Sequence, residues 1–152
     1  MNKRLLFIIL IIVRTCTMIF SLNAFGEDEA SSRLYAAHSL KCKFSEGIGT
    51  TWDGLKQKIS SQRNDDIVQF DSIDINKHSA RVIGNLAAGD VSVISNEVGL
   101  TFIEIKPLVL SITTVFSANS VNTEFISVDT RHVNVFGTPM AEQYYGSCKI
   151  WQ

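Results

Sequence analysis

The stretch SVDTRHVNV places an acid, a guanidinium and an imidazole close together. Alternate side chains of a strand share a face, so Asp129 and Arg131 fall on one face and Thr130 and His132 on the other. Asp129 or Glu104 could orient His132 as a base, and Arg131 could bind an anionic ligand. The alternative is an ion pair on an exposed face beside a partly buried histidine. Because the alternation separates His132 from the other two, we favour the alternative and predict no catalytic residue.

Metal and cofactor chemistry has weaker support. Asp74, Asn76 and His78 alternate as in a calcium loop, but Ser79 and Asn85 stand where such a loop needs a glycine and an acid. We interpret this segment as a solvated hairpin turn. The sequence has no phosphate-binding glycine loop before a helix and no nucleophile elbow. It therefore predicts no metal site and no cofactor.

Strands are the elements that must position these residues. HSLKCKF alternates Leu40, Cys42 and Phe44 with polar residues, which is the period of a strand. Further segments rich in Val, Ile, Thr and Phe span residues 66–75, 80–86, 90–95, 100–106, 108–116, 124–136 and 144–151. Their short joints carry turn residues, which favours antiparallel neighbours. The sequence predicts an all-β antiparallel meander of about seven or eight strands.

Open edges would expose such a sheet to aggregation, so we predict a closed or nearly closed small barrel, with a β-sandwich as the alternative.

Trp52, Leu55 and Ile59 have helical spacing, which predicts one short helix near residues 51–61. Residues 27–33 look like a solvated leader. Five phenylalanines each fall in a different predicted strand: Phe44, Phe70, Phe102, Phe116 and Phe125. They are expected to fill the interior, the alternative being that they line a small cavity.

Two cysteines remain if Cys16 belongs to an N-terminal signal peptide that is removed. Cys42 and Cys148 have no metal-ligand spacing, and an even pair in an exported protein indicates a disulfide. This disulfide would join the first strand to the last. Closing a loop of that length contributes up to about 4.7 kcal/mol.

The N-terminus is typical of a secretory signal. MNKR is basic, LLFIILIIV is apolar, and NAFG supplies small residues for cleavage before Glu27. We predict a signal peptide over residues 1–26 and a single β-rich domain over residues 27–152. A retained membrane anchor is the alternative, but it would place Arg14 near the helix centre at a cost of about 2.5–3.5 kcal/mol. The predicted location is periplasmic or secreted, with no membrane span after cleavage.

Charge bounds the partners. Residues 1–26 hold three of the 14 basic residues and none of the 15 acidic ones, which leaves 11 against 15 and a net charge of −4. A nucleic-acid-binding protein needs a concentrated basic face, which these scattered lysines do not provide. We therefore expect no nucleic-acid partner.

The ordered segments FDSID, ARVIGN, LTFIE, TTVF, TRH and QYYGSC resemble small uncharacterised secreted or periplasmic proteins of proteobacteria that end in a Tyr-Tyr-Gly-Ser/Thr-Cys motif. The resemblance implies export and brings no activity with it. We expect a non-enzymatic binding or interaction module of the bacterial envelope, monomeric, whose partner is a protein or a small ligand. The alternatives are a small hydrolase or lyase using His132 with nearby acids, and a structural accessory protein of an envelope complex.

Overall fold

The structure, a computed structural model, describes residues 29–84, 88–121 and 123–151. The predicted signal peptide, residues 1–26, lies outside the described residues. A short helix, α1, spans residues 29–35. The strands that follow are β1 (Leu40–Asp53), β2 (Lys56–Asp74), β3 (Ser79–Ile83), β4 (Ala88–Asn96), β5 (Gly99–Lys106), β6 (Val109–Val121), β7 (Glu124–Val135) and β8 (Thr138–Ile150).

These strands form one antiparallel meander. Each strand pairs with the next in sequence, and β1 pairs with β8, which closes the ring. The prediction of an all-β meander is confirmed, and the sheet closes as a barrel instead of splitting into a sandwich. Turns at residues 75–78 and 97–98 lie at one end, which we call the closed end. Turns at residues 54–55, 107–108 and 136–137 lie at the other, the open end.

The wall of the barrel is uneven. β2 has 19 residues, whereas β3 has five. The β2–β3 ladder begins at Gln69, so within the described chain residues 56–63 and 66–68 pair with β1 alone. This leaves a notch beside β2. Lys56, Lys58 and Arg63 place charge along the unpaired edge, and charged edges resist pairing with other chains.

The seam between β1 and β8 carries the disulfide. Cys42 and Cys148 lie directly opposite each other, are bonded and are fully buried, as predicted. Gly146 lies opposite Phe44, beside a bulge in β1. A Cβ atom at Gly146 would collide with the carbonyl oxygen of Lys43, so this crossing needs glycine.

Helix α1 covers the closed end. Leu34 is fully buried, and Ala30 and Ala37 are buried beside it. The Tyr35 hydroxyl donates to the Asn96 carbonyl at 2.6 Å, which ties the end of α1 to the β4–β5 turn. The prediction of a solvated leader is therefore wrong from residue 29 onward. No helix in the described ranges is long and apolar enough to cross a bilayer.

The predicted helix over residues 51–61 is also wrong. This segment is the end of β1, a turn and the start of β2, with Trp52 opposite Gln57. Trp52, Leu55 and Ile59 are all exposed, so a helix here would have no core to pack against. Gly54 supplies the left-handed turn residue, with φ of 61°, and the hairpin extends a ladder that already exists.

Candidate functional site

A cavity of about 600 Å³ lies inside the open end of the barrel. Phe70 and Phe102 form its floor, stacked with ring centroids 3.9 Å apart. Their neighbours on the apolar part of the lining are Val68, Val82 and Val91. Phe44, Phe70, Phe102 and Phe125 are all buried in the interior, as expected. Phe70 and Phe102 also border the cavity, which agrees with the alternative.

The short β3 strand accounts for the space. β2, β5, β6 and β7 continue toward the open end past the level at which β3 stops. Their inward side chains have no partner of similar length across the notch, so the interior above the stacked rings is not filled. The wall there is polar: it carries Asp66, Glu104, Lys106, Ser111, Thr113, Asp129 and Arg131.

Arg131 crosses the interior of the barrel. Its Nε lies 2.7 Å from Asp129 Oδ2 on the same strand, and its Nη1 lies 3.2 Å from Asp66 Oδ2 on β2. The guanidinium also lies over the Tyr144 ring, 5.1 Å from the ring centroid, which is a cation–π distance. One cation thus holds together β7, β8 and β2.

Asp129 is the most deeply buried charge of the site, 2% exposed. Its Oδ1 accepts hydrogen bonds from Ser111 Oγ at 2.9 Å and Thr113 Oγ1 at 2.8 Å, both from β6. Burying a carboxylate costs free energy unless it is paired and hydrogen-bonded. Arg131 and the two hydroxyls meet that requirement.

The pKa values of this cluster follow from the burial and the charges. Burial acts to lower the pKa of Arg131, but the attraction and hydrogen bonds of Asp129 and Asp66 outweigh it and raise that pKa. For Tyr144, whose charged form is an anion, burial instead raises the pKa, and a hydrogen bond with Glu142 acts in the same direction. Arg131 therefore stays charged and Tyr144 stays neutral at neutral pH.

A second ion pair lies on the β5 side. Lys106 Nζ is 2.7 Å from Glu104 Oε1, although the two groups are not aligned as a hydrogen bond. Glu104 is largely buried and Lys106 half-exposed. Counting Asp66, Glu104 and Asp129 against Lys106 and Arg131, the cavity wall carries a net charge of −1.

The structure separates the residues that the sequence singled out. Glu104, Asp129 and Arg131 line the cavity, whereas His132 is exposed on the outer face of β7. The hydrolase or lyase hypothesis requires His132 to meet these acids in one cleft, and the structure does not bring them together. Asp129 and Arg131 do share a face, but their ion pair is inside and the histidine outside, the reverse of the placement we favoured.

Sequence reasoning missed Asp66 and the hydroxyls of β6, whereas cavity lining by phenylalanines was the stated alternative. Ser111 and Thr113 alternate along β6, which is a signal for a shared face but not for which face is inward. Asp66 reaches Arg131 across 65 residues of chain, through ring closure, and no local pattern reports such a contact.

The segment at Asp74 is the predicted hairpin turn. Asp74 Oδ1 accepts a hydrogen bond from the Lys77 backbone N–H at 3.0 Å, and Lys77 Nζ lies 2.7 Å from Asp74 Oδ2.

Comparisons with known proteins found no matching protein family, no matching curated protein and no matching solved structure. The inference of function rests on the cavity.

Proposed function

We propose that this protein is a non-enzymatic binding module of the bacterial envelope that holds a small amphiphilic molecule inside its barrel. The observation that carries the proposal is the cavity of about 600 Å³, with stacked phenylalanines as its floor and ion pairs in its wall. Binding sites for small molecules are typically clefts of about 300–1,000 Å³ with a mostly apolar lining and a few placed polar groups.

The lining indicates how a ligand would lie. An apolar tail would pack on Phe70 and Phe102, and a polar head would meet the carboxylates nearer the open end. Because the wall has a net charge of −1, it favours a neutral or cationic head group over an anionic one. The guanidinium of Arg131 is already paired with Asp129 and Asp66, so it is a poor anion receptor.

Export is part of the proposal. The disulfide supports an oxidising compartment, because such bonds are rare in the reducing cytosol. Intact mass of the protein recovered from the periplasm of an expressing host should correspond to a chain that begins at Glu27. A chain that retains residue 1, recovered with the membrane, would contradict this part.

Three amphiphiles with the same tail test the ligand class. Dodecyl maltoside, dodecyltrimethylammonium and dodecyl sulfate, each below its micelle concentration, are titrated into the protein by calorimetry. We expect saturable binding of the first two and at least about tenfold weaker binding of the sulfate. Absence of binding by all three, or a preference for the sulfate, would refute the proposed site chemistry.

A matched pair of variants assigns the binding to the cavity. Val109 faces the cavity from β6, and Leu110, the next residue, lies on the outer face. Val109→Trp should fill the mouth and abolish binding of dodecyl maltoside, whereas Leu110→Trp should leave it unchanged. Equal affinities for the two variants would place the ligand elsewhere.

A further inference from the structure

The notch exposes one backbone edge of β2. Within the part of the chain that the structure describes, residues 56–63 and 67–68 pair with β1 alone, because the β3–β4 ladder ends at Ile83 and Ala88. Along a strand, every second residue directs its N–H and C=O groups toward the same edge. The edge of β2 therefore presents a row of backbone donors and acceptors to the notch, which is a template for one more strand.

This edge is continuous with the cavity. Ile67 and Val68 belong to it and also line the cavity, as does Gly84 just after the end of β3. Val68 points inward, whereas Ile67, the preceding residue, lies on the outer face and is 43% exposed. The cavity thus reaches through the wall at the notch, and one ligand can contact the interior and the edge of β2 at the same time.

The spacing of the edge indicates the kind of group that fits it. Its donors and acceptors recur every two residues, about 7 Å apart. An extended peptide has the same repeat of donors and acceptors, which is why peptides are bound as added strands at exposed sheet edges. A sugar or a single charged head group has no such repeat, so it cannot satisfy the edge in this way.

The edge does not accept strands indiscriminately. Lys56, Lys58 and Arg63 place charges along it, which disfavours pairing that depends on backbone hydrogen bonds alone. A peptide that is also anchored in the cavity overcomes this limit, because its second contact becomes intramolecular once the first is made. The two features suit one ligand with two parts, an apolar chain that packs on Phe70 and Phe102 and a peptide backbone that pairs with β2.

We infer that the ligand is an acylated peptide, whose acyl chain lies in the cavity and whose backbone adds a strand to β2 in the notch. The inference deepens the proposed function and rests on it, since the cavity is the same. β2 runs from the open end toward Phe70, so a peptide acylated at its N-terminus leaves the cavity antiparallel to β2. β3 pairs with β2 in that same direction, and the peptide continues the line of β3.

Three probes with matched parts test the inference by calorimetry on protein recovered from the periplasm. The first is an uncharged peptide of about eight residues, a common strand length, with an N-dodecanoyl group and a C-terminal amide. The second is the same peptide with an N-acetyl group, and the third is dodecyl maltoside, which has the tail without the peptide. We expect the dodecanoyl peptide to bind at least about tenfold more tightly than either of the others.

Backbone methylation distinguishes an added strand from other contacts. Two isomers of the dodecanoyl peptide carry N-methyl groups on alternate residues, in one phase or the other. Because only every second N–H of an added strand points to β2, one isomer should lose about tenfold in affinity and the other should bind like the parent peptide.

Hydrogen exchange locates the peptide on the protein. In the complex with the dodecanoyl peptide, alternate backbone amides between residues 57 and 67 should exchange more slowly than in the complex with dodecyl maltoside. Val109→Trp, which fills the cavity mouth, should reduce the affinity for the dodecanoyl peptide to that for the acetyl peptide.

The inference and the proposed function fail on different results. Equal affinities for the dodecanoyl peptide and dodecyl maltoside, or for the two methylated isomers, would overturn the inference and leave the proposed function standing. Equal affinities for the dodecanoyl and acetyl peptides would also overturn it, because the acyl chain would then not use the cavity. Absence of binding by every dodecyl compound would refute the proposed function, and the inference with it.

Discussion

At the closed end of the barrel, Leu34, Leu40 and Phe125 are fully buried and the Cys42–Cys148 disulfide lies on the same interior face. At the open end, similar strands surround a cavity with ion pairs in its wall and apolar residues at its tips. Both ends are built from the same alternating strands. The difference comes from what covers them: α1 covers one, and the short β3 strand leaves the other unfilled.

This comparison separates stability from binding. Changes at the closed end should lower the free energy of unfolding and leave the ligand affinity of the folded protein unchanged. Changes in the cavity mouth should alter affinity with small effects on stability. Arg131 lies between the two cases, because it lines the cavity and also neutralises a buried carboxylate.

The largest effect is expected from the disulfide. Cys42→Ala combined with Cys148→Ala should lower the free energy of unfolding by between about 2 and 5 kcal/mol, since the bond closes a loop with a sequence separation of 106 residues. Urea titration of the oxidised wild type and the variant measures the difference. Lys43→Ala, an exposed neighbour on β1, is the control and should stay within about 0.5 kcal/mol of the wild type.

The comparison would break if the double alanine variant kept wild-type stability, since the closed end would then not depend on its seam. It would also break if the folded variant lost affinity for dodecyl maltoside. Neither cysteine lines the cavity, so the affinity should not change.

Arg131 should give the next largest effect. Arg131→Met leaves Asp129 buried with two hydroxyl donors and no cation, and should cost about 3 kcal/mol. Combining it with Asp129→Leu removes the unpaired charge, so the double variant should be more stable than Arg131→Met alone. Thermal or urea unfolding measures both. If the destabilisation of the double variant equalled the sum of the destabilisations by Arg131→Met alone and Asp129→Leu alone, the two residues would not be coupled. This account of the buried pair would then be wrong.

Tyr144 should show the smallest effect, at alkaline pH. Its pKa is raised by burial, so the folded state favours the neutral phenol. The sign follows: this contribution to stability is complete below the unfolded pKa of about 10 and is lost as pH rises through the higher folded pKa. The phenolate absorbance of the wild type minus that of Tyr144→Phe should appear only above pH of about 10. A full difference signal below that pH would show that Tyr144 is not buried beside Glu142.

Much of the fold was predictable because apolar and polar residues alternate along its strands. Leu40, Cys42 and Phe44 predicted the first strand, and the pairing of Cys42 with Cys148 predicted the closure of β1 on β8. Ring closure followed from the need to remove sheet edges. Gly146 as a point of close backbone approach also followed from its residue type.

The errors came from weak helical spacing. Trp52, Leu55 and Ile59 fit a helix, but the same residues can be exposed on a hairpin, and only the absence of a packing surface decides between them. Ala30 and Leu34 are one helical turn apart, a spacing that fits the helix found there. The polar composition of the surrounding stretch indicated a solvated leader instead.

The site was predictable only in part. The shared face of Asp129 and Arg131 followed from alternation, but the inward direction of that face did not. The cavity depends on the length of β3 relative to β2, and the third member of the ion-pair cluster, Asp66, depends on closure of the ring. Such features arise from global geometry, and single-sequence patterns do not report them.

Methyl NMR during a titration with dodecyl maltoside tests the central claim most directly, because it reads both ends of the barrel in one experiment. We predict saturable shifts of the methyl groups of Val82 and Val91, which line the cavity, and none for Leu34 and Leu40, which pack the closed end. Shifts at the closed end alone, or no shifts at Val82 and Val91 at saturation, would contradict the account of the open end as a ligand cavity.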